Sequence, residues 1–331
     1  MDYKIRERKA TRCKGENQYE IIYFYCHSIV EMSHTFSAKL RKQLEGLSEN
    51  TIQMYMTKLR ILNNNESFSS LAFLKKVDTI KEKLESIQND NTRKSYVASI
   101  VAVLNRQTDA SSKKANDKYK SMFMKERSIF ADKQALGEKS ETQKANWMEQ
   151  DEVVAIHKAL DEKVQAIENK TKLTEKEHKM VEDWLLLSLY VLQPPRRNAD
   201  YYMMKIGMGT DKNFNYVCLA KGVYMFNNFK TSKGGAEEIE IPDKMKTIFR
   251  QYLDMTGLKA GDFVLFHKDT RRTSSNVITK ALNRILGKKV GASMLRHIFL
   301  TDKYGEVKEE QKKDAEFMSH GSGMQSNYIL K

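Results

Sequence analysis

The strongest constraint on the fold of this chain is a long apolar segment, Trp184 to Leu192, with Pro194 close behind it. Apart from Ser188, every residue of the segment is apolar or aromatic, so a helix built from it has no polar face. The helix is too short to span a bilayer, so other elements have to enclose it. Pro194 cannot continue a helix and predicts its end. We therefore expect the second half of the chain to fold around this buried helix.

Length, composition and charge limit what the chain can be. Its 331 residues are enough for two domains, each with its own core. With 3 prolines, 15 glycines and 40% hydrophobic residues, the composition favours an ordered, mainly helical protein. The formal net charge is +14, which predicts attraction to a polyanion. Residues 1–4 do not begin a signal peptide, so we expect a soluble, intracellular protein with no membrane partner.

The cysteines and histidines do not have the spacing of a metal centre. Cys13, Cys26 and Cys218 are far apart and odd in number, which is typical of a reducing compartment. None of the 7 histidines forms a paired motif such as H-E-x-x-H. We therefore expect any catalysis to proceed without a metal, and we assign no cofactor.

The first part of the chain predicts an arm followed by a helical domain. Residues 1–45 start with a basic stretch that could lie along a phosphate backbone or solubilise the terminus. An apolar run at 21–26 follows, which we assign to a helix, although its periodicity also allows a strand. Residues 46–108 contain three apolar runs at helical spacing, with Asn50 and Asn91 as the expected N-caps.

Charge rises and hydrophobic density falls between residues 109 and 147. We assign this segment to a linker between two domains, helical in part around Tyr119 to Phe130. Its basic residues either keep an exposed connector soluble or contact DNA phosphates, and the composition fits both interpretations. They include Lys113, Lys114, Lys118, Lys120, Lys125 and Arg127.

Residues 148–331 predict a second domain that is mainly α with a small antiparallel β-sheet. Helices are expected from Glu149, over the apolar segment, and again near residues 243, 275 and 292. Between them lie three β-branched and aromatic segments separated by glycines, the pattern of a three-stranded antiparallel sheet. These segments are Tyr216 to Leu219, Val223 to Phe226 and Glu238 to Ile241.

Several residues of this second domain have the chemistry needed to break a phosphodiester bond. The phosphate oxygens gain charge in the transition state and need fixed cationic donors, for which arginine is well suited. The nucleophile can be a phenol, and the leaving oxygen needs a general acid. In chain order the candidates are Arg197, Lys230, Ser293, Arg296, His320 and Tyr328.

In this order the candidates resemble the catalytic residues of the tyrosine recombinases, also called phage-type integrases. The family pattern has an acidic residue three positions after the first arginine, which selects Arg197, with Asp200, over Arg196. Arg196 could instead contact DNA outside the site. The segment from Pro194 to Tyr201 is most similar in style to integrases of virophages and large DNA viruses.

The resemblance implies a helical core-binding domain followed by an α+β catalytic domain, with double-stranded DNA as the partner. It implies that Tyr328 attacks the scissile phosphate to form a 3′-phosphotyrosyl link. Arg197, Arg296 and His320 hold the phosphate, and Lys230 protonates the leaving 5′ oxygen. No ATP, metal or small-molecule substrate is needed. We expect a homotetramer on two DNA sites that integrates a viral or mobile element, where DNA is replicated or in a host nucleus or cytoplasm.

The chain departs from the family pattern near its end. Ser293 stands where the family has a histidine, and a serine can donate to a phosphate oxygen but cannot act as a base, so the group that deprotonates Tyr328 stays open. His320 precedes Tyr328 by one residue fewer than is common in the family. Only three residues follow Tyr328, so assembly is expected through another element such as residues 1–45, or through donation of the tyrosine segment between subunits.

Alternatives remain at two residues and for the function as a whole. Lys233 could take the place of Lys230 on the same hairpin, and His297 is expected to be structural. The same active-site chemistry would suit a type IB topoisomerase, which relaxes supercoils as a monomer. A DNA-binding protein with a decayed site is the third possibility, and Ser293 is the residue that favours it.

Overall fold

The structure is a computed structural model that describes residues 35–135, 137–230, 235–266 and 274–319. The chain divides into two compact units at the bond between Glu138 and Lys139. Both units are mainly helical in their described residues, and the second contains one small sheet. The expectation of a mainly helical protein with a small sheet is therefore confirmed.

Helices follow one another through the first unit. They are α1 (residues 35–43), α2 (Glu49–Leu62), a 3₁₀ turn (Ala72–Lys75), α3 (Val77–Glu85), α4 (Asp90–Leu104) and α5 (Ala110–Ala135). Ser48 caps α2 and Asn89 caps α4, each accepting a hydrogen bond from the amide three residues on, at 3.3 and 2.9 Å. The expected caps, Asn50 and Asn91, were wrong, because both lie inside the first helical turn.

Helix α5 is part of the core of the first unit and packs along α4. Its residue Tyr119 is fully buried and donates a hydrogen bond from its hydroxyl to the carbonyl of Leu74 at 2.8 Å. The structure thus differs from the linker expected over residues 109–147, most of which form this one helix. The sequence pattern is weak because only one side of the long helix is buried and the other side is charged.

Helix α8 is the centre of the second unit, as its apolar sequence predicted. The helices of this unit are α6 (Glu141–Asn146), α7 (Gln150–Gln165), α8 (Glu175–Val191), α9 (Asn198–Tyr202), α10 (Asp243–Thr256), α11 (Asn276–Leu286) and α12 (Ala292–Phe317). Trp184 and the leucines beside it are fully buried, and α7, α10 and α11 contact the helix. Its buried carboxylate, Asp183, accepts two hydrogen bonds from Arg284 of α11, both at 2.6 Å. No helix in the described ranges is long and apolar enough to cross a membrane.

In the described residues, the sheet of the second unit has four strands in the order β1-β2-β3-β4. They are β1 (Met204–Ile206), β2 (Asn215–Cys218), β3 (Val223–Phe226) and β4 (Glu237–Glu240). Strands β2, β3 and β4 are antiparallel as predicted, but β1 pairs in parallel with β2, so the sheet is mixed. The prediction of a purely antiparallel sheet was wrong because β1 has only 3 residues, too few to show an alternating pattern.

Candidate active site

The two arginines before α9 have different surroundings. Arg196 donates from Nε to the carboxylate of Asp200 at 2.9 Å, and its guanidinium carbon lies 3.7 Å from the centre of the Phe226 ring. Arg197 is the N-cap residue of α9 and is half-buried. Its side chain makes no hydrogen bond or ion pair within the described part of the chain. Arg197 therefore keeps all its N–H donors available for an anion.

Asp200, the acidic residue whose spacing selected Arg197 in the sequence, pairs with Arg196 in the structure. Asp200 is 1% exposed, and its Oδ2 accepts from Arg196 while no described group donates to its Oδ1. Arg196 also reaches Glu237 on the exposed strand β4, at 3.4 Å. Arg196 thus connects α9 to the edge of the sheet, whereas Arg197 has no partner in the part of the chain that the structure describes.

The residue after Arg197 is fastened to two helices. Asn198 accepts a hydrogen bond from the hydroxyl of Tyr190 in α8 at 3.0 Å. It donates from Nδ2 to Thr279 Oγ1 in α11 at 2.8 Å and to the carbonyl of Ser275 at 3.4 Å. The backbone that carries Arg197 is therefore held against α8 and α11.

Helix α12 begins beside the same threonine. Its N-cap is Gly291, and a Cβ placed on Gly291 would lie 3.4 Å from the methyl group of Thr279. Ser293 is exposed in the first turn and Arg296 is half-buried one turn on. The Arg296 side chain makes no hydrogen bond or ion pair with any described residue. Thr279 thus lies beside the start of α12 and bonds the residue that follows Arg197.

The segment that carries Lys230 is joined to α9 by one buried side chain. Asn215, 2% exposed, donates from Nδ2 to the carbonyl of Asp200 at 2.8 Å and to the carbonyl of Asn228 at 3.0 Å. Its Oδ1 accepts from the amide of Asn228 at 2.8 Å. Lys230 follows two residues later, is exposed and has no side-chain partner among the described residues.

Three candidate cations therefore lie on segments that Thr279 and Asn215 connect. Asn198, next to Arg197, bonds Thr279, and Gly291, five residues before Arg296, lies beside the same threonine. Lys230 is connected to α9 through Asn215. His297 is exposed beside Arg296. Three further candidates lie outside the described residues: Lys233, His320 and Tyr328.

A buried cluster of tyrosines holds the elements around the site together. The Tyr201 hydroxyl accepts from Gln193 Nε2 at 2.8 Å, and the Tyr224 hydroxyl donates to Gln193 Oε1 at 3.0 Å. The ring of Tyr201 also contacts the ring of Tyr190 edge-on. Burial raises the pKa of all three phenols, because it disfavours the phenolate. These tyrosines stay protonated and connect α8, α9 and β3.

The residues that connect the site were not among the sequence candidates. Asn198, Thr279 and Asn215 carry no chemistry of their own, so their residue types give no functional signal. A weak signal does exist for Asn215, since asparagine is depleted in strands and this one opens a strand whose other residues are β-formers. Within the described ranges, no three His, Cys, Asp or Glu side chains come together as a metal site.

Comparison of the chain with protein-family models, with curated proteins and with solved structures found no match. The inference of function therefore depends on the residues of the site and on the contacts that place them.

Proposed function

We propose that this protein cuts and rejoins DNA as a tyrosine recombinase, with Arg197, Lys230 and Arg296 as its cationic residues. The supporting observation is that these three side chains have no hydrogen-bond or ion-pair partner among the described residues, although the segments that carry them are bonded to, or lie beside, Thr279 and Asn215. Like charges on neighbouring segments repel one another unless an anion binds between them. A phosphodiester supplies that anion, and two guanidinium groups match its non-bridging oxygens.

In the proposed reaction the phenol oxygen of Tyr328 attacks the phosphorus and the bond to the 5′ oxygen breaks, so the 3′ phosphate stays linked to tyrosine. Arg197 and Arg296 donate to the oxygens on which charge grows in the transition state. The phenol gives up its proton, and Lys230 gives a proton to the departing 5′ oxygen. A 5′ hydroxyl from another strand reverses these steps, so rejoining needs no ATP.

Two other residues complete the proposed site. Ser293 is placed as a donor to a phosphate oxygen, since a hydroxyl donates readily but is too weak a base to deprotonate a phenol. His320 donates to the same phosphate. The base for Tyr328 is therefore a group other than Ser293.

The proposed partner is double-stranded DNA, bound as two sites by a homotetramer. Exchange between two duplexes requires four strand cuts, and each tyrosine makes one. The net charge of +14 favours a polyanion. An exposed set of lysines without ion pairs also runs along one side of the described α5 helix. We call it the α5 lysine face, and its members are Lys114, Lys118 and Lys125.

The test is covalent trapping on DNA from the flanks of the encoding element, nicked near candidate cleavage sites so that rejoining fails. Wild type should give a protein–DNA band on a denaturing gel, and Tyr328→Phe should abolish it. Tyr304→Phe is the matched control, because Tyr304 is an exposed tyrosine of α12 and should leave the band unchanged.

A band that persists in Tyr328→Phe contradicts the assignment of the nucleophile. Relaxation of a supercoiled plasmid that lacks the element's sequence would support a type IB topoisomerase instead. Intact DNA binding with no strand cleavage on any flanking DNA would support a DNA-binding protein with a decayed site.

A further inference from the structure

The side chain of Asn215 is buried at the first position of β2, where an apolar or β-branched residue is usual. A buried amide is costly unless its donors and acceptor are satisfied. Within the described residues, all the hydrogen bonds of the Asn215 side chain go to main-chain atoms, and those atoms belong to two other segments, at Asp200 and Asn228.

The contact with Asn228 is reciprocal and therefore fixes the backbone there. Asn215 donates to the carbonyl of Asn228 at 3.0 Å and accepts from its amide at 2.8 Å. One donor also bonds the carbonyl of Asp200 at 2.8 Å, so the same amide holds both segments. A side chain that bonds both main-chain groups of one residue limits its translation and its rotation.

The neighbouring amides continue this arrangement beyond the end of the regular strand pairing. The last β2–β3 pair in this direction is Tyr216 with Met225. Past it, Asn227 donates from Nδ2 to the carbonyl of Phe214 at 3.1 Å, and Asn228 donates from Nδ2 to the carbonyl of Asn213 at 3.4 Å. Beyond the last β2–β3 pair, hydrogen bonds from side-chain amides thus replace those between the two main chains. They hold the chain as it leaves β3 toward Lys230.

We propose that Asn215 is a positioning residue for Lys230, an inference that depends on the proposed role of Lys230 as the acid for the 5′ oxygen. Asn215 fixes the start of the lysine segment relative to the carbonyl of Asp200, and so relative to the α9 segment that carries Arg197. A general acid has to lie within hydrogen-bond reach of the oxygen it protonates. A displacement of about 1 Å costs on the order of 10²-fold in rate.

The chemistry of the leaving group gives a test that separates positioning from folding. A leaving alcohol needs a proton, whereas a thiol, with a pKa of about 8.5, leaves as the thiolate without one. Two DNA substrates are prepared that are identical except for sulfur in place of the bridging 5′ oxygen. The rate of covalent trapping at Tyr328 is measured on both for each variant. The ratio of the two rates does not depend on how much of the protein is folded.

The expected result is that Asn215→Ala slows trapping on the oxygen substrate about 10²-fold while the sulfur substrate reacts at close to the wild-type rate. Lys230→Ala should behave in the same way, and the double variant should be no slower than Lys230→Ala alone. Asn215→Asp keeps the size of the side chain but loses both N–H donors. Its ratio of trapping rates on the two substrates should therefore equal that of Asn215→Ala. The matched control is Asn213→Ala, because among the described residues the Asn213 side chain bonds Asp211 alone, and its ratio of rates should match wild type.

Equal slowing on both substrates by Asn215→Ala, together with rescue of Lys230→Ala by sulfur, would overturn the proposal and leave Asn215 a purely structural role. Asn198→Ala provides the contrast, since loss of arginine placement should slow both substrates alike. Failure of the proposed function has a different outcome, in which wild type forms no adduct at Tyr328 on either substrate.

Discussion

Two adjacent arginines show how strongly the partner of a residue determines its role. Arg196 lies between the Phe226 ring and the carboxylate of Asp200, whose side chain is 2% exposed. Removing Arg196 leaves that carboxylate buried without a counter-charge, which is among the costlier single changes in a protein. Arg197 has no such partner, so its removal exposes nothing that needs compensation. Replacement by alanine should therefore affect mainly stability at Arg196 and mainly catalysis at Arg197.

Arg196→Ala should lower the free energy of unfolding of the second unit by about 3 kcal/mol, because it leaves the buried Asp200 carboxylate without a counter-charge. Arg197→Ala should change it by less than about 0.5 kcal/mol and should abolish covalent trapping on DNA. Urea unfolding followed by tryptophan fluorescence measures the free energy of unfolding of the second unit, since both tryptophans, Trp147 and Trp184, lie in it. Similar destabilisation by the two variants would show that Arg197 also has a structural partner.

Among the elements, helices α7 and α8 meet at a buried polar contact. His157 Nε2 lies 2.8 Å from Ser188 Oγ, and Ser188 donates to the carbonyl of Trp184 at 2.7 Å. Because the serine proton is used in that bond, the imidazole has to donate, so Nε2 carries the proton. Burial lowers the pKa of His157, and the charge of Asp161 opposes this only in part.

This contact should make the second unit less stable in mild acid. A lowered folded-state pKa means that, below about pH 6.5, the unfolded chain binds a proton at His157 that the folded chain does not. The free energy of unfolding should therefore fall as the pH decreases through that value, and level off below the folded-state pKa. His157→Gln should flatten this dependence when urea unfolding is compared at about pH 7.5 and about pH 5.5. An unchanged slope in His157→Gln would contradict the assignment.

How far the elements could be predicted depended on how much of each was buried. From Val181 to Tyr190 helix α8 is buried on nearly every side, so its apolar sequence predicted both the helix and its central place. Helix α5 buries one side, so its sequence predicted a helix only around Tyr119 to Phe130, about half of the observed length. Strand β1 has 3 residues and gave no pattern at all. The connections at Asn198, Thr279 and Asn215 join residues that are remote in sequence, and spacing along a single chain does not contain that information.

For the whole molecule, the positive charge is unevenly placed. Strand β4 is exposed along its length and carries three glutamates, which discourage its free edge from pairing with another sheet. The α5 lysine face has the opposite character, with exposed lysines that lack carboxylate partners among the described residues. A polyanion should therefore bind the α5 lysine face and avoid the β4 edge.

Replacing all three residues of the α5 lysine face by glutamine should weaken binding to any DNA sequence and reduce its salt dependence. Each phosphate contact contributes about 0.9 to the slope of log affinity against log salt, so three lost contacts should reduce the slope by about 2 to 3. Fluorescence anisotropy with a duplex at salt concentrations between about 50 and 200 mM measures this slope. A control that changes the net charge equally, but at lysines already paired with carboxylates, should leave the slope nearly unchanged. An equal loss of slope in both triple variants would mean that net charge, rather than this face, determines DNA binding. The control lysines are Lys75, Lys81 and Lys120.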